Sequence, residues 1–252
     1  MRLSLSALTP FHFAMLAHAV LRHSNRVEIY TSAPRKFFRN LDQSIPIHLV
    51  PAPIHIGLRA FPGVKRRSWM NVDNIWYDFA VSSIIGKPDV FFGLATQAAV
   101  TAKAVKRRGG MFVLDRACPH CDFQQALVRR QAELVGAEFQ AQPAWLRERQ
   151  LREYELADAI LVPSMYTART FPAELQPKLV RAPLLGRTKP AQGPRTEPNK
   201  IFTVGVVGGS PLRKGYLYLL KAWQKLALPN AKPVPNHNYL NSLTRRAAVT
   251  GC

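Results

Sequence analysis

The 252-residue chain is poor in acid, with 15 Asp plus Glu against 35 Lys plus Arg, and the shortage is uneven. After Lys178 the only carboxylate side chain is Glu197. A mechanism that relies on paired carboxylates is therefore excluded from that part of the chain. Cysteine is scarce too. Cys118, Cys121 and Cys252 are too few for a disulfide scaffold, and a reducing cytoplasm is the expected setting. A single Cys-x-x-Cys with no second pair leaves a tetrahedral zinc shell half made, so no metal is expected. No apolar run approaches the roughly 18 residues of a membrane span. Arg2, the apolar segment from Leu3 and Ala17-His18-Ala19 imitate a signal peptide, but Pro10 and His12 interrupt it. A first strand, a Thr-Pro turn and a helix carrying Phe13, Leu16, Ala17 and Val20 are expected instead.

What is present is an apolar fraction of 47%, enough for a sizeable core, and a formal net charge of +20. That charge points to a phosphate-bearing partner, and by itself it fits nucleic acid, an anionic membrane surface or a nucleotide. Short apolar runs at 26–30, 46–50, 88–92, 111–114, 159–162 and 178–181 alternate with helix-period stretches at 71–85, 96–108, 123–135, 145–157 and 164–171. Strands alternating with helices of this length specify an α/β fold with a parallel, Rossmann-like sheet. Residues 56–69 (IGLRAFPGVKRRSW) mix cations with aromatics and read as a solvated loop or a membrane-surface or acceptor-binding loop. The stretch 186–200 is rich in Pro, Gly and charge and reads as a linker between domains.

Two motifs carry chemistry. Residues 202–223 (FTVGVVGGSPLRKGYLYLLKAW) read as strand, glycine turn and helix, with Arg213 and Lys214 at the turn. Gly208 and Gly209 let a backbone approach a ligand closely, and helix-start N–H groups beside two cations suit a phosphate. The other motif is Cys118-Pro119-His120-Cys121, between the strand at 111–114 and a helix. Its placement suits a dithiol oxidoreductase, although several strand–helix units precede it. His120 falls at the carboxyl end of a parallel strand, where open α/β sheets bind ligands.

Arg152 to Ser164 (REYELADAILVPS), followed by the linker and then 202–231, resembles the retaining glycosyltransferases of family 4, which have the two-Rossmann-domain GT-B fold. The resemblance implies a donor diphosphate held by Gly208, Gly209, Arg213 and Lys214, and a catalytic His120 facing the donor sugar. It also implies that Pro10, Phe11 and His12 form a loop facing acceptor and donor. Departures are Gly209, where many members have Arg, and the absence after Glu197 of the E-x7-E pair that binds the donor ribose and sugar.

The expected organisation is therefore a GT-B-type α/β protein. An N-terminal acceptor-side domain occupies 1–185, a linker 186–200, the start of a donor-binding domain 201–231, and an atypical tail without strand or helix pattern 232–252. The function implied is sugar transfer with retention from a nucleotide-sugar to an unidentified acceptor, with no cofactor and no metal. Activity is expected to be impaired, because the chain reads as cut short early in its second domain. Cytoplasmic location, with peripheral contact to anionic membrane and no nucleic-acid partner, goes with this reading. The alternatives are a non-catalytic basic protein that binds anionic membrane or nucleic acid, and a thiol–disulfide oxidoreductase acting through Cys118 and Cys121.

Overall fold

The computed structural model describes residues 1–10, 12–21, 23–24, 26–38, 41–52, 66–184, 201–206 and 211–235. The chain divides into two compact units, Met1–Gln124 with Gln142–Gly186, and Gln125–Ala141 with Arg187–Cys252.

The first unit is a seven-stranded, all-parallel sheet. In chain order its elements are β1 (Arg2–Ser6), α1 (Phe13–Leu21), β2 (Arg26–Thr31), a 3₁₀ turn (Arg35–Phe38), β3 (Ile47–Leu49), α2 (Arg66–Ile84), β4 (Val90–Leu94), α3 (Ala99–Arg107), β5 (Met111–Asp115), α4 (Cys121–Leu134), α5 (Ala144–Leu156), β6 (Ala159–Val162), α6 (Met165–Ala168), a second 3₁₀ turn (Ala173–Lys178) and β7 (Leu179–Arg181). The spatial order β3-β2-β1-β4-β5-β6-β7 winds outward from β1 in one direction and then from β4 in the other. The switch point lies between β1 and β4, the place where doubly wound sheets open a crevice beyond their strands' carboxyl ends.

Alternation along the strands explains the two faces. Leu3, Leu5, Val27 and Ile29 point with Phe13 and Ala17 of α1 into one core. Phe91, Phe112, Leu114 and Ile160 meet Tyr77 and Val81 of α2, Val105 of α3 and Tyr154 of α5 in the other. Both faces are covered, so the strands are apolar on both sides, as parallel strands must be. Each fully buried side chain of this size contributes roughly 1.5–3 kcal/mol.

Element boundaries depart from the periodicity in two instructive places. The helix expected over 96–108 starts only at Ala99, because Thr96 holds a left-handed backbone (φ 78°). The helix expected over 164–171 is the single turn α6, capped by Ser164 Oγ accepting from Thr167 N at 3.1 Å. Pro172 and Pro177 turn the chain that follows into 3₁₀ geometry.

The second unit contains β8 (Phe202–Val206), the one-turn α7 (Pro211–Lys214), α8 (Tyr216–Leu226) and β9 (Ala231–Pro235). β9 corrects the expectation that nothing from 232 onward forms a strand: it runs parallel to β8, with Phe202 opposite Ala231 and Val206 opposite Pro235. Alternation failed as a guide because Pro233 and Pro235 break the pattern. Two residues apart, their nitrogens fall on one side of the strand and leave the other side's groups for pairing. Gly215, with φ 71°, makes the left-handed step between α7 and α8 that a side chain would strain. Most of α4, from Gln125 on, also clusters in this unit, where Gln131 Oε1 accepts from Tyr218 Oη at 2.5 Å. The linker at 186–200, residues 56–65 of the basic aromatic stretch, and 236–252 of the tail lie outside the described residues.

Candidate functional site

The switch point is tied together by side chains. Leu8 N, just past β1, donates to Gln97 Oε1 at 2.8 Å, and Gln97 Nε2 donates to Asn74 Oδ1 at 3.1 Å. Asn74 Nδ2 in turn reaches Thr96 Oγ1 at 3.2 Å. Pro10 O accepts from Phe13 N at 3.2 Å and starts the turn into α1; Phe11 lies outside the described residues. That turn carries His12 across the end of β4 to β5, where its Nε2 stands 2.5 Å from Asp115 Oδ2. Both side chains are well covered, 17% exposed for His12 and 4% for Asp115. Asp115 was not singled out by the sequence reading. The available signal was a carboxylate ending an otherwise apolar strand, MFVLD.

From Asp115 the chain turns through Arg116, whose Nε and Nη2 donate to Pro119 O at 3.1 and 2.8 Å and whose guanidinium lies over the Tyr154 ring. The turn delivers His120, buried at 6% exposure, with its backbone N–H donating to Thr170 Oγ1 at 3.0 Å. The imidazole packs on Tyr154 and edge-on to Phe171, at centroid distances of 5.1 and 5.3 Å. Burial pushes its pKa below the ordinary histidine value, against the pull of Asp122 and with help from Arg116 and Arg147. His120 is thus a neutral imidazole at neutral pH. Nδ1 accepts from Asp122 N at 3.3 Å, so the ring proton sits on Nε2, a buried donor with no acceptor among the described residues.

The motif 152–164 turns out to hold architecture. Glu153, fully buried, accepts from Thr96 N and Ala98 N at 2.7 and 3.0 Å. Asp78, also fully buried, accepts from Val100 N and Thr101 N at 2.7 and 2.9 Å and is paired to Arg149. The N-cap of α3 is Ala98, which has no capping side chain. Its orphan N–H groups are satisfied by carboxylates from α2 and α5 instead, where the helix dipole favours negative charge. Asp158 similarly takes Phe112 N at 2.8 Å and Lys106 Nζ at 2.5 Å, fixing the start of β5.

Cys118 and Cys121 are free thiols, and burial, reinforced by Asp122, pushes the Cys121 thiol above its ordinary pKa. A thiol that attacks disulfides requires the opposite shift. His120, Cys121 and Asp122 bring ligand atoms within 4.8 Å of one another. Asp122, one of the three, is already gripped by Arg147 at 2.6 and 2.8 Å.

Of the residues expected at the donor phosphate, Gly208 and Gly209 lie outside the described residues. Arg213 and Lys214 are exposed at the end of α7 in the second unit. Among the described residues no helix is long and apolar enough to cross a membrane.

No protein-family model and no curated protein matches the sequence. The fold, in contrast, is widely shared among solved structures. Arabidopsis thaliana UGT89C1, solved with UDP-L-rhamnose, superposes with a TM-score of 0.57 at 13% identity over 96% of this chain and 67% of its own. TcCGT1 in complex with UDP gives 0.54 at 9% identity, over 82% and 57%. The calicheamicin glycosyltransferase CalG4 gives 0.52 at 11% identity, over 81% and 57%. The chain therefore spans between 57% and 67% of the lengths of these structures. Its fold is the GT-B type of glycosyltransferases, with the seven-stranded, Rossmann-like sheet in the first unit.

Proposed function

We propose that this chain transfers a sugar from a nucleotide-sugar donor to a hydroxyl-bearing acceptor. The observation that carries this reading is the His12–Asp115 pair at the carboxyl edge of the sheet. Asp115 holds the His12 imidazole through Nε2 and orients it at the edge of the sheet. A base so oriented can take the proton of an acceptor hydroxyl as its oxygen attacks the anomeric carbon. On the donor side, departure of the nucleotide puts negative charge on the diphosphate. Arg213 and Lys214, with Gly208 and Gly209 before them in the sequence, are the groups assigned to it, and they need no metal. His120 is assigned to the donor sugar at the reacting centre.

Solved structures that share the fold were determined with UDP-L-rhamnose and with UDP, which supports a nucleotide-sugar as the donor class. Retention is supported by the resemblance at Arg152 to Ser164 and 202–231. The His12–Asp115 pair favours a second reading, direct displacement with inversion, since retention by same-face attack needs no protein base. Incubating the chain with UDP-, GDP- and ADP-sugars and a panel of hydroxylated acceptors, then following nucleotide release and product mass, tests the transfer. The anomeric proton coupling of the product separates the two stereochemical readings. Absence of donor-dependent product, or product unaffected by His12→Ala, overturns the proposal.

A further inference from the structure

Between β4 and α3 one residue holds a conformation that its own side chain opposes. Thr96 is β-branched, yet its backbone lies in the left-handed region at φ 78°, where such a residue is an outlier. Strain of this kind persists only where the surroundings over-determine it, and it gathers at functional sites. Thr96 N donates to Glu153 Oε2 at 2.7 Å, Thr96 O accepts from Arg149 Nε at 3.0 Å, and Thr96 Oγ1 accepts from Asn74 Nδ2 at 3.2 Å. All three polar groups of the residue are therefore held, two by α5 and one by α2. Glycine would take this backbone freely. What threonine adds is the hydroxyl, which engages Asn74 Nδ2 and leaves Asn74 Oδ1 facing Gln97.

The held turn aims the next side chain across the switch point. Gln97, buried at 8% exposure, accepts from Leu8 N through Oε1 at 2.8 Å and donates through Nε2 to Asn74 Oδ1 at 3.1 Å. It does not serve its own helix, because the first N–H groups of α3 are already taken by Glu153 and Asp78. Leu8 O accepts from Ser32 N at 3.1 Å, so Leu8 is pinned through both its backbone groups. His12 follows four residues later, at the start of α1, where its carbonyl accepts from Met15 N and Leu16 N. The loop bearing His12 thus hangs between two anchors, α1 at one end and Leu8 at the other.

We propose that Gln97 is the positioning residue of this loop: by fixing Leu8 it sets where His12 meets Asp115. The inference rests on the sugar-transfer reading for the role of His12 as base; the seating of the His12 ring on Asp115 is a matter of geometry alone. Gln97 acts only through Leu8 and touches no reacting atom. Displacing a base by about 1 Å is enough to cost about 100-fold in rate, even when the change is made far from the chemistry.

The test uses the full chain and Gln97→Met, which keeps the length of the side chain and removes both bonds. Asn74→Leu, which breaks the other end of the Gln97 amide, replaces it if that variant fails to fold. Asp158→Asn loosens the start of β5 at the opposite end of the sheet and controls for loss of stability. The ring-proton signals of His12 are followed by NMR without substrate, assigned by their loss in His12→Ala and calibrated by their movement in Asp115→Asn. Gln97→Met should move them in the direction that Asp115→Asn does, and Asp158→Asn should leave them in place. In transfer assays kcat should fall by about 10- to 100-fold, with KM for donor and acceptor within about twofold of the parent. His12 signals unmoved in Gln97→Met, the same movement in Asp158→Asn, or a raised KM with kcat unchanged each overturns the proposal. If no donor yields product, the transfer reading falls, and the His12 signals alone decide whether Gln97 seats the ring. If the parent transfers sugar and Gln97→Met matches it in rate, the positioning inference alone falls.

Discussion

At the carboxyl edge of the first sheet, two groups of buried charge stand a strand or two apart and are treated in opposite ways. Around the start of α3, Asp78, Glu153 and Arg149 meet one another and the N–H groups of Thr96, Ala98, Val100 and Thr101, and both carboxylates have partners on both oxygens. At the end of β5 and past it, Asp115 Oδ2, apart from its ion pair with His12, and His120 Nε2 have no hydrogen-bond partner among the described residues. The first group spends its hydrogen-bonding capacity on the fold. The second keeps some in hand. Buried polarity that is satisfied internally reads as architecture, and buried polarity left over reads as a place for a ligand.

The largest expected effect separates the two groups by function. His12→Ala should lower the rate of sugar transfer by about 10²- to 10⁴-fold, the range for loss of a general base, while the thermal midpoint of unfolding stays near that of the parent. A comparable loss of stability would move His12 into the architectural group. Next in size, Asp78→Ala strands the Arg149 guanidinium, and urea unfolding should show a loss of about 3–5 kcal/mol, the cost of breaking a buried pair. Transfer per folded molecule should be unchanged.

A third effect comes from pH. Burial pushes Glu153 up to about 7, against the Thr96 and Ala98 N–H groups and Arg149, with Asp78 adding to the rise. The folded protein therefore binds this proton more tightly than the unfolded chain does. Its contribution favours folding most at low pH and declines as pH rises from the ordinary glutamate value of about 4.5 to about 7, by roughly 3 kcal/mol in all. Glu153→Gln should flatten that part of the stability profile measured by urea unfolding at stepped pH; a slope that survives assigns it elsewhere. The smallest effect belongs to the second unit. Replacing exposed Arg213 and Lys214 by Ala should weaken UDP binding about tenfold by titration calorimetry, with a weaker dependence on salt and no change in unfolding.

Much of the fold could be read from periodicity, since each strand of the parallel sheet is a short apolar run next to a helix-period stretch. Less of the site could be read. His12 and His120 were visible as polar residues beside strand ends, but their partners are distant in sequence: Asp115 for the first, Thr170 and Phe171 for the second. Glu153 and Asp158 were visible only as a pattern, because their work is to bond backbone N–H groups of Thr96, Ala98 and Phe112, and no sequence spacing reports that. β9 escaped because backbone pairing tolerates the prolines that erase its alternation.

The claim that the switch-point edge is a reacting centre is tested most directly by Asp115→Asn, which keeps the shape of the side chain and removes its charge. Initial rates of sugar transfer are compared with the parent at equal folded fraction. The account predicts a fall of about 100-fold or more with an unchanged unfolding midpoint. A variant that transfers sugar at the parent rate, or a parent chain that transfers none from any nucleotide-sugar offered, contradicts it.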